Sequence, residues 1–346
     1  MNLTQKDIES LRELHADLES ICSHAKERDV KVVIDAEYSW YQPAVDAFQL
    51  SMMRKFNVLD SGHTQPLVYG TWQAYLRRQV RNVVSGLLIL MFCRNPGFLA
   101  EALRDARRHN YALGVKLVRG AYHEYEIHAH SDAKSKGGSV SISPDPEPPV
   151  WMTKSETDAC FNEGVQTLVR AIAADVRASN SRSWRDTKNW WSISSASRTN
   201  SNTALSVPRI AVIFGTHNWE SCDVVLEELV KANLASKEEI QEEGKKGKRS
   251  VVSVRDDVAQ RVAIAQLYGM CDDLTDSLVE RARSKTPLVM KYAQIPCLFW
   301  TRLMSLGISH SVHFLRYYPT LVDVLLRISR CLDKAELRER GRELGD

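Results

Sequence analysis

Five times in this 346-residue chain a polar or charged cluster stands at or just past the end of a short apolar run, and this recurrence constrains the fold most. The clusters are Asp35-Ala36-Glu37, Trp72-Gln73-Ala74-Tyr75, Lys116 to Tyr122, Gly215-Thr216-His217-Asn218 and Gln266-Leu267-Tyr268-Gly269-Met270. Four directly terminate an apolar run, and the Gln73 cluster follows Leu67-Val68-Tyr69 after a Gly-Thr step. The runs are continuous rather than alternating, as in Val30 to Ile34 apart from Lys31, which marks strands of a parallel sheet buried on both faces. In β/α barrels the active site is built at the carboxyl ends of the strands. Five clusters therefore predict one composite site on a parallel α/β barrel.

The spacing predicts an opening helix with Ile8, Leu11, Leu14, Leu18, Ile21 and Cys22 on one face. Further helices are expected at about 42–56, 96–110, 157–176, 219–232 and 274–282, with another starting near Tyr75 and carrying Arg77, Arg78 and Arg81. Strands are expected at about 30–34, 66–69, 115–118, 210–214, 262–266 and 287–292, six in all. Residues 128–154, with Ser-Lys-Gly-Gly-Ser and Pro-Asp-Pro-Glu-Pro-Pro, predict an exposed insertion, as do the Ser-, Asn- and Arg-rich residues 178–207. Lys237 to Lys248 predicts a solvated charged stretch. After Tyr292 the pattern loses its periodicity, so 1–292 are expected to form one unit and 293–346 an atypical helical tail.

A net charge of +3, with no Lys/Arg stripe interleaved with aromatics, does not point to nucleic acid. The longest apolar stretch, Val84 to Cys93, is too short to cross a bilayer. Seven cysteines without a Cys-x-x-Cys pair argue against a zinc site or disulfide framework, and no His/Cys/carboxylate group has metal-ligand spacing.

The clusters carry binding chemistry. Lys116 and Arg119 face opposite sides of a strand by alternation. Gly120 allows close approach to the backbone. Thr216, His217 and Asn218 stand at the start of a helix whose free amides favour anions. The set suits a phosphate-bearing cofactor and a small polar substrate. Each residue also has a plain structural role open to it: Asp35 and Lys116 as partners in ion pairs, His217 as a satisfied rim histidine, Tyr122 and Tyr292 as half-buried aromatics.

In this order the clusters resemble proline dehydrogenase, carried by Ile34 to Glu37, Gln73 to Leu76, Lys116-Leu117-Val118-Arg119-Gly120-Ala121-Tyr122, Thr157-Asp158, Phe214 to Asn218 and Gln266 to Met270. The likeness covers about 30–292 apart from the insertions, which resemble those of fungal-type mitochondrial members. It implies a distorted (β/α)8 barrel, FAD as cofactor, and oxidation of L-proline to Δ1-pyrroline-5-carboxylate with a quinone as acceptor. It also implies a mitochondrial setting with peripheral association to the inner membrane. By position, Gln73, Lys116, Gly120, Lys154, Thr216, His217 and Asn218 would contact FAD. Asp35, Ala121, Tyr122, Leu267 and Tyr292 would line the proline pocket.

The chain departs from the family pattern at two places. Asp-Ala-Glu ends the third strand of the family barrel, so an incomplete α/β barrel of about six of eight strands is expected, without a lysine that the family carries near the substrate. No Arg-Arg pair follows Tyr292 to grip the proline carboxylate; the nearest candidates are Arg327 and Arg330, one helical turn apart. These departures leave open an alternative, a catalytically impaired or inactive truncated remnant that acts, if at all, as a non-enzymatic interaction protein.

Overall fold

In the computed structural model the residues described are 5–59, 65–77, 79–84, 87–92, 95–136, 146–188, 209–241, 248–285 and 288–292. Helix α1 (Gln5–Glu27) leads into strand β1 (Val32–Ile34), α2 (Gln42–Phe56) and β2 (Val68–Gln73). Strands β3 (Gln79–Val84) and β4 (Leu87–Phe92) precede α3 (Asn95–Arg108), β5 (Leu113–Val118), α4 (His123–Lys136) and α5 (Lys154–Lys188). Then come β6 (Ile210–Gly215), α6 (Trp219–Lys231), β7 (Ala235–Gln241), β8 (Lys248–Val254), the short α7 (Asp256–Ala259), β9 (Val262–Leu267), α8 (Asp272–Arg281), β10 (Ala282–Arg283) and β11 (Val289–Tyr292).

One parallel sheet organises these elements. Its order is β1-β2-β5-β6-β9-β11, so every neighbouring pair is joined by a crossover that contains at least one helix. These are the six strands that the apolar runs predict, with β1 and β11 at the edges among the described residues. The architecture is an incomplete (β/α)8 barrel. Strands of this kind need no alternation because both faces are covered, and β5 is buried from Leu113 to Leu117. The core lies between sheet and helices. Leu14, Leu18 and Cys22 of α1 share it with Val45, Met52 and Met53 of α2, and Leu99 of α3 with Leu117 of β5 and Phe161, Val165 and Leu168 of α5. The heptad-like apolar stripe of α1 faces this core as its spacing predicts.

Four sequence expectations are corrected. The segment after Tyr75 is not a helix: β3 and β4 pair antiparallel, with Val84 opposite Leu87, Arg81 lies in β3 and Arg77 just ahead of it. β-branched Val80, Val83 and Val84 favour strand over helix. The charged stretch from Lys237 contains β7, antiparallel to β8, with most of its side chains in water. Within the expected exposed insertion, residues 128–136 are helical, in α4, and Val150 is fully buried against Tyr75 and Leu76. Helix α5 runs to Lys188, through the start of the second expected insertion; residues 189–208 lie outside the described ones. The expected tail, 293–346, including Arg327 and Arg330, also lies outside the described residues.

Candidate active site

The carboxyl ends of the parallel strands bring most of the expected site residues to one mouth, in two groups. The first surrounds β1, β2 and β5. Lys116 reaches from β5 to Asp35 just past β1, with Nζ donating to Oδ2 over 2.7 Å. The Lys116 side chain is 7% exposed, whereas that of Asp35 is 41% exposed, so the ammonium is buried under a carboxylate that meets the mouth. Thr71 Oγ1 donates to Ile34 O at 2.9 Å and stands 3.1 Å from Asp35 Oδ1, which fixes the carboxylate's orientation.

Gln73, at the end of β2, is fully buried. Its Nε2 donates to Glu37 O at 2.7 Å and to Gln42 Oε1 at 3.0 Å. Gly120 has φ +123°, a conformation open to glycine, and a Cβ there would lie 2.4 Å from the ring of Tyr75. The structure thus gives Gly120 a packing reason in addition to the expected one. Tyr122 is half-buried, its ring 4.5 Å from that of Tyr38, and burial together with the Glu37 carboxylate pushes its phenol well above the usual range. Ala121 beside it is exposed.

The second group surrounds β6, β9 and β11. His217 Nε2 accepts the backbone N–H of Leu267 at 2.9 Å. That bond places the imidazole proton on Nδ1, and burial lowers the pKa of His217, so the ring is held neutral with an N–H donor remaining. Asn218 caps α6, accepting Ser221 N–H on Oδ1 at 2.8 Å, and its own N–H donates to Thr216 Oγ1 at 3.1 Å. Tyr292 stands opposite Leu267 in the β9–β11 register.

The two groups meet where β5 and β6 run side by side, Val118 opposite Gly215, and a Cβ on Gly215 would lie 3.9 Å from Cε of Lys116. Arg119, on the other side of the strand from Lys116 as alternation predicts, donates to Ser221 Oγ at 2.7 Å and pairs with Asp158. Lys154 is exposed at the start of α5 and joins the same Asp158 at 2.7 Å, two contacts removed from β5. A separate cleft of about 220 Å³ lies at the opposite end, where Tyr111 and Arg209 precede β5 and β6, and its lining includes none of the mouth residues.

Several residues that shape the mouth carry no signal in the strand-end pattern. Tyr38, Trp40 and Tyr41 form an aromatic cluster on the β1–α2 connection, with Tyr38 and Trp40 stacked at 4.5 Å and 6°. Ser39 and Glu126 join across 87 positions of sequence. Three aromatics in four residues directly after the Asp35 cluster were the available clue to the first; nothing local marks the second.

A family model described as proline dehydrogenase matches residues 3–88 and 93–297, most of the chain. The chain belongs to the proline dehydrogenase family. The match begins at residue 3 and takes in α1, well before the residue-level likeness of the strand ends. Among curated relatives, "Proline dehydrogenase 2, mitochondrial" of Arabidopsis thaliana is 28% identical over 85% of this chain and 44% of its own length. "Proline dehydrogenase 1, mitochondrial" of Drosophila melanogaster is 34% identical over 35% and 15%. "Carbapenem antibiotics biosynthesis protein CarD" of Pectobacterium carotovorum is 28% identical over 74% and 43%. The chain thus spans less than half the length of these relatives. A solved bifunctional proline utilization A protein is similar in fold at TM-score 0.51 and 18% identity, over 92% of this chain and 23% of the other. The Bradyrhizobium japonicum protein gives 0.51 and 18% over 93% and 24%. Proline dehydrogenase membership and the partial-barrel fold therefore agree.

Proposed function

We propose that this chain is an FAD-dependent proline dehydrogenase that oxidises L-proline to Δ1-pyrroline-5-carboxylate and passes the electrons to a quinone. The observation that carries the reading is the buried Lys116 ammonium locked to Asp35 in one group of the mouth, with His217 held by the Leu267 amide in the other, both on strand ends that also match the family. The donor set fits the cofactor. Lys116, the Nδ1–H of His217, the hydroxyl of Thr216 and the amide of Asn218 suit the carbonyls and ring nitrogens of a flavin, and a strand end without a side chain at Gly120 suits close approach. When bound there, FAD would supply the two-electron redox chemistry, as acceptor for the hydride of proline C5 and as donor to quinone.

The protein's own residues bind and orient. Asp35, fixed by Lys116 and Thr71, offers a partly exposed carboxylate to the secondary amine, whose proton must leave as the C5=N bond forms. Tyr122 and Leu267, with Ala121 and Tyr292, wall the ring and exclude water. Gln73 orders the Glu37 backbone behind that wall, and Lys154 serves the cofactor phosphates from α5. By the resemblance, the proline carboxylate is assigned to Arg327 and Arg330, which lie outside the described residues. We assign residues 1–292 to the barrel unit and 293–346 to a tail. The relatives' names support a mitochondrial location, and the quinone implies contact with the inner membrane.

The test is direct. Purified protein supplied with FAD is expected to be yellow, and anaerobic L-proline is expected to bleach the flavin band in a stopped-flow mixer. Bound flavin that does not bleach at saturating proline overturns the enzyme reading and leaves the non-catalytic remnant.

A further inference from the structure

Helix α4 meets the β1–α2 connection through two side chains one turn apart. Tyr122, immediately before the helix, hydrogen-bonds the Glu37 carboxylate and packs its ring 4.5 Å from Tyr38. Glu126, four residues on and therefore on the same face, is completely buried. Its Oε1 accepts the backbone N–H of Ser39 and its Oε2 accepts the Ser39 hydroxyl, both at 2.6 Å. Three consecutive loop residues, 37, 38 and 39, are thus held by one helix face.

The connection is also held from below. Asp35 is bound by Lys116 and Thr71, and the Glu37 carbonyl accepts Gln73 Nε2 at 2.7 Å and lies 3.4 Å from the Tyr75 hydroxyl. Those contacts fix residues 35 and 37. Within the aromatic run 38–41 the anchor is Ser39.

A buried carboxylate is costly without full hydrogen bonding, so its retention requires these donors. Short bonds to a charged acceptor are also the stronger kind. We propose that Glu126 is a positioning residue: by clamping Ser39 it sets the Tyr38 ring against Tyr122 and so builds the wall of the substrate pocket, which fixes the affinity for a small cyclic amino acid. This inference rests on the functional reading above.

The experiment compares the FAD-supplied full chain with Glu126→Ala, Glu126→Gln and Ser39→Ala by hydrogen–deuterium exchange of the peptide spanning 35–41 and by steady-state kinetics with L-proline. In the wild type the Ser39 amide is expected to be protected. Glu126→Ala is expected to lose that protection and to raise KM for proline at least about tenfold, with a smaller change in kcat. Glu126→Gln, which keeps one acceptor, is expected to fall between the two. Ser39→Ala keeps its amide bond and loses the hydroxyl, and in the double variant it is expected to add little further loss to that of Glu126→Ala.

Unchanged exchange in Glu126→Ala overturns the clamp. Lost protection with unchanged KM overturns its role in the pocket. A variant whose helices melt early is replaced by Glu126→Gln, for which wild-type exchange and KM together count against the proposal. If the wild type binds no flavin or does not bleach with proline, the functional reading fails by itself, and the exchange arm still decides whether Glu126 holds the loop.

Discussion

At the scale of single residues, the mouth is governed by where protons sit. His217 accepts a backbone N–H on Nε2, and its burial disfavours the imidazolium, so its pKa lies below the ordinary 6.5. The folded chain therefore binds fewer protons at this site than the unfolded one between the depressed value and 6.5. By linkage, the stability this residue contributes is fully present above 6.5 and is lost as pH falls through that window. Protonation also puts a hydrogen where the Leu267 amide donates, breaking the tie between β6 and β9. Thermal melting from about pH 7.5 to 5.5 is expected to show a fall that is smaller in His217→Gln, whose carbonyl accepts the same amide without titrating. Equal falls in the two proteins would assign the pH dependence to other groups. His217 was legible in the sequence because it ends an apolar run; its proton state was not, since that depends on an amide 50 positions away. The same limit hid Glu126, whose partner is distant and whose own helix has no apolar periodicity.

At the scale of elements, one asparagine organises the floor of the sheet. Asn57, which ends α2 and is nearly fully buried, donates through Nδ2 to Val68 O at 2.8 Å and Ala112 O at 2.9 Å. Its Oδ1 accepts Leu67 N–H at 3.0 Å and Val68 N–H at 2.9 Å. One amide thus holds α2, β2 and the segment entering β5 in register. Asn57→Asp presents a second oxygen to two carbonyls and buries a charge, so both donor bonds become repulsive contacts. A loss of about 2–4 kcal/mol is expected, read as a lower urea midpoint with unchanged slope. An unchanged midpoint would mean that water replaces the amide.

No periodicity announces such a residue, whereas the strands it serves are plain in the sequence because burial on both faces demands unbroken apolar runs. The elements that escaped the sequence are those released from that demand. β7 carries Lys237, Glu238 and Glu239 in water and so reads as a charged loop, and α4 has polar residues all round. The arginines around β3 resemble a helix surface only while Val80 between them and Val83 and Val84 after them are ignored.

At the scale of the whole molecule, the ordered strand ends predicted both the six-stranded parallel sheet and the end at which its polar residues gather. What they could not predict is how the two groups at the mouth are coupled. Lys116 joins β5 to β1, the Asn57 amide joins β2 to β5 below, and the Leu267 amide joins β9 to β6, while Arg119 and Ser221 tie β5 to α6. A ligand spanning Lys116 and His217 would bridge both halves of the sheet and bind only when β1, β5, β6 and β9 are assembled. Because it would have no counterpart in the unfolded chain, such a ligand stabilises the whole barrel by mass action. At a concentration one hundred times its dissociation constant the gain is about 2.7 kcal/mol. For a unit of this size that is a rise in melting temperature of roughly 4–5 °C. Added FAD is therefore expected to raise the melting temperature progressively with concentration, and Lys116→Met, which removes the ammonium but keeps most of the side-chain volume, is expected to reduce that rise. A melting temperature indifferent to FAD would mean that the mouth does not hold a flavin, whatever its resemblance to the family's site.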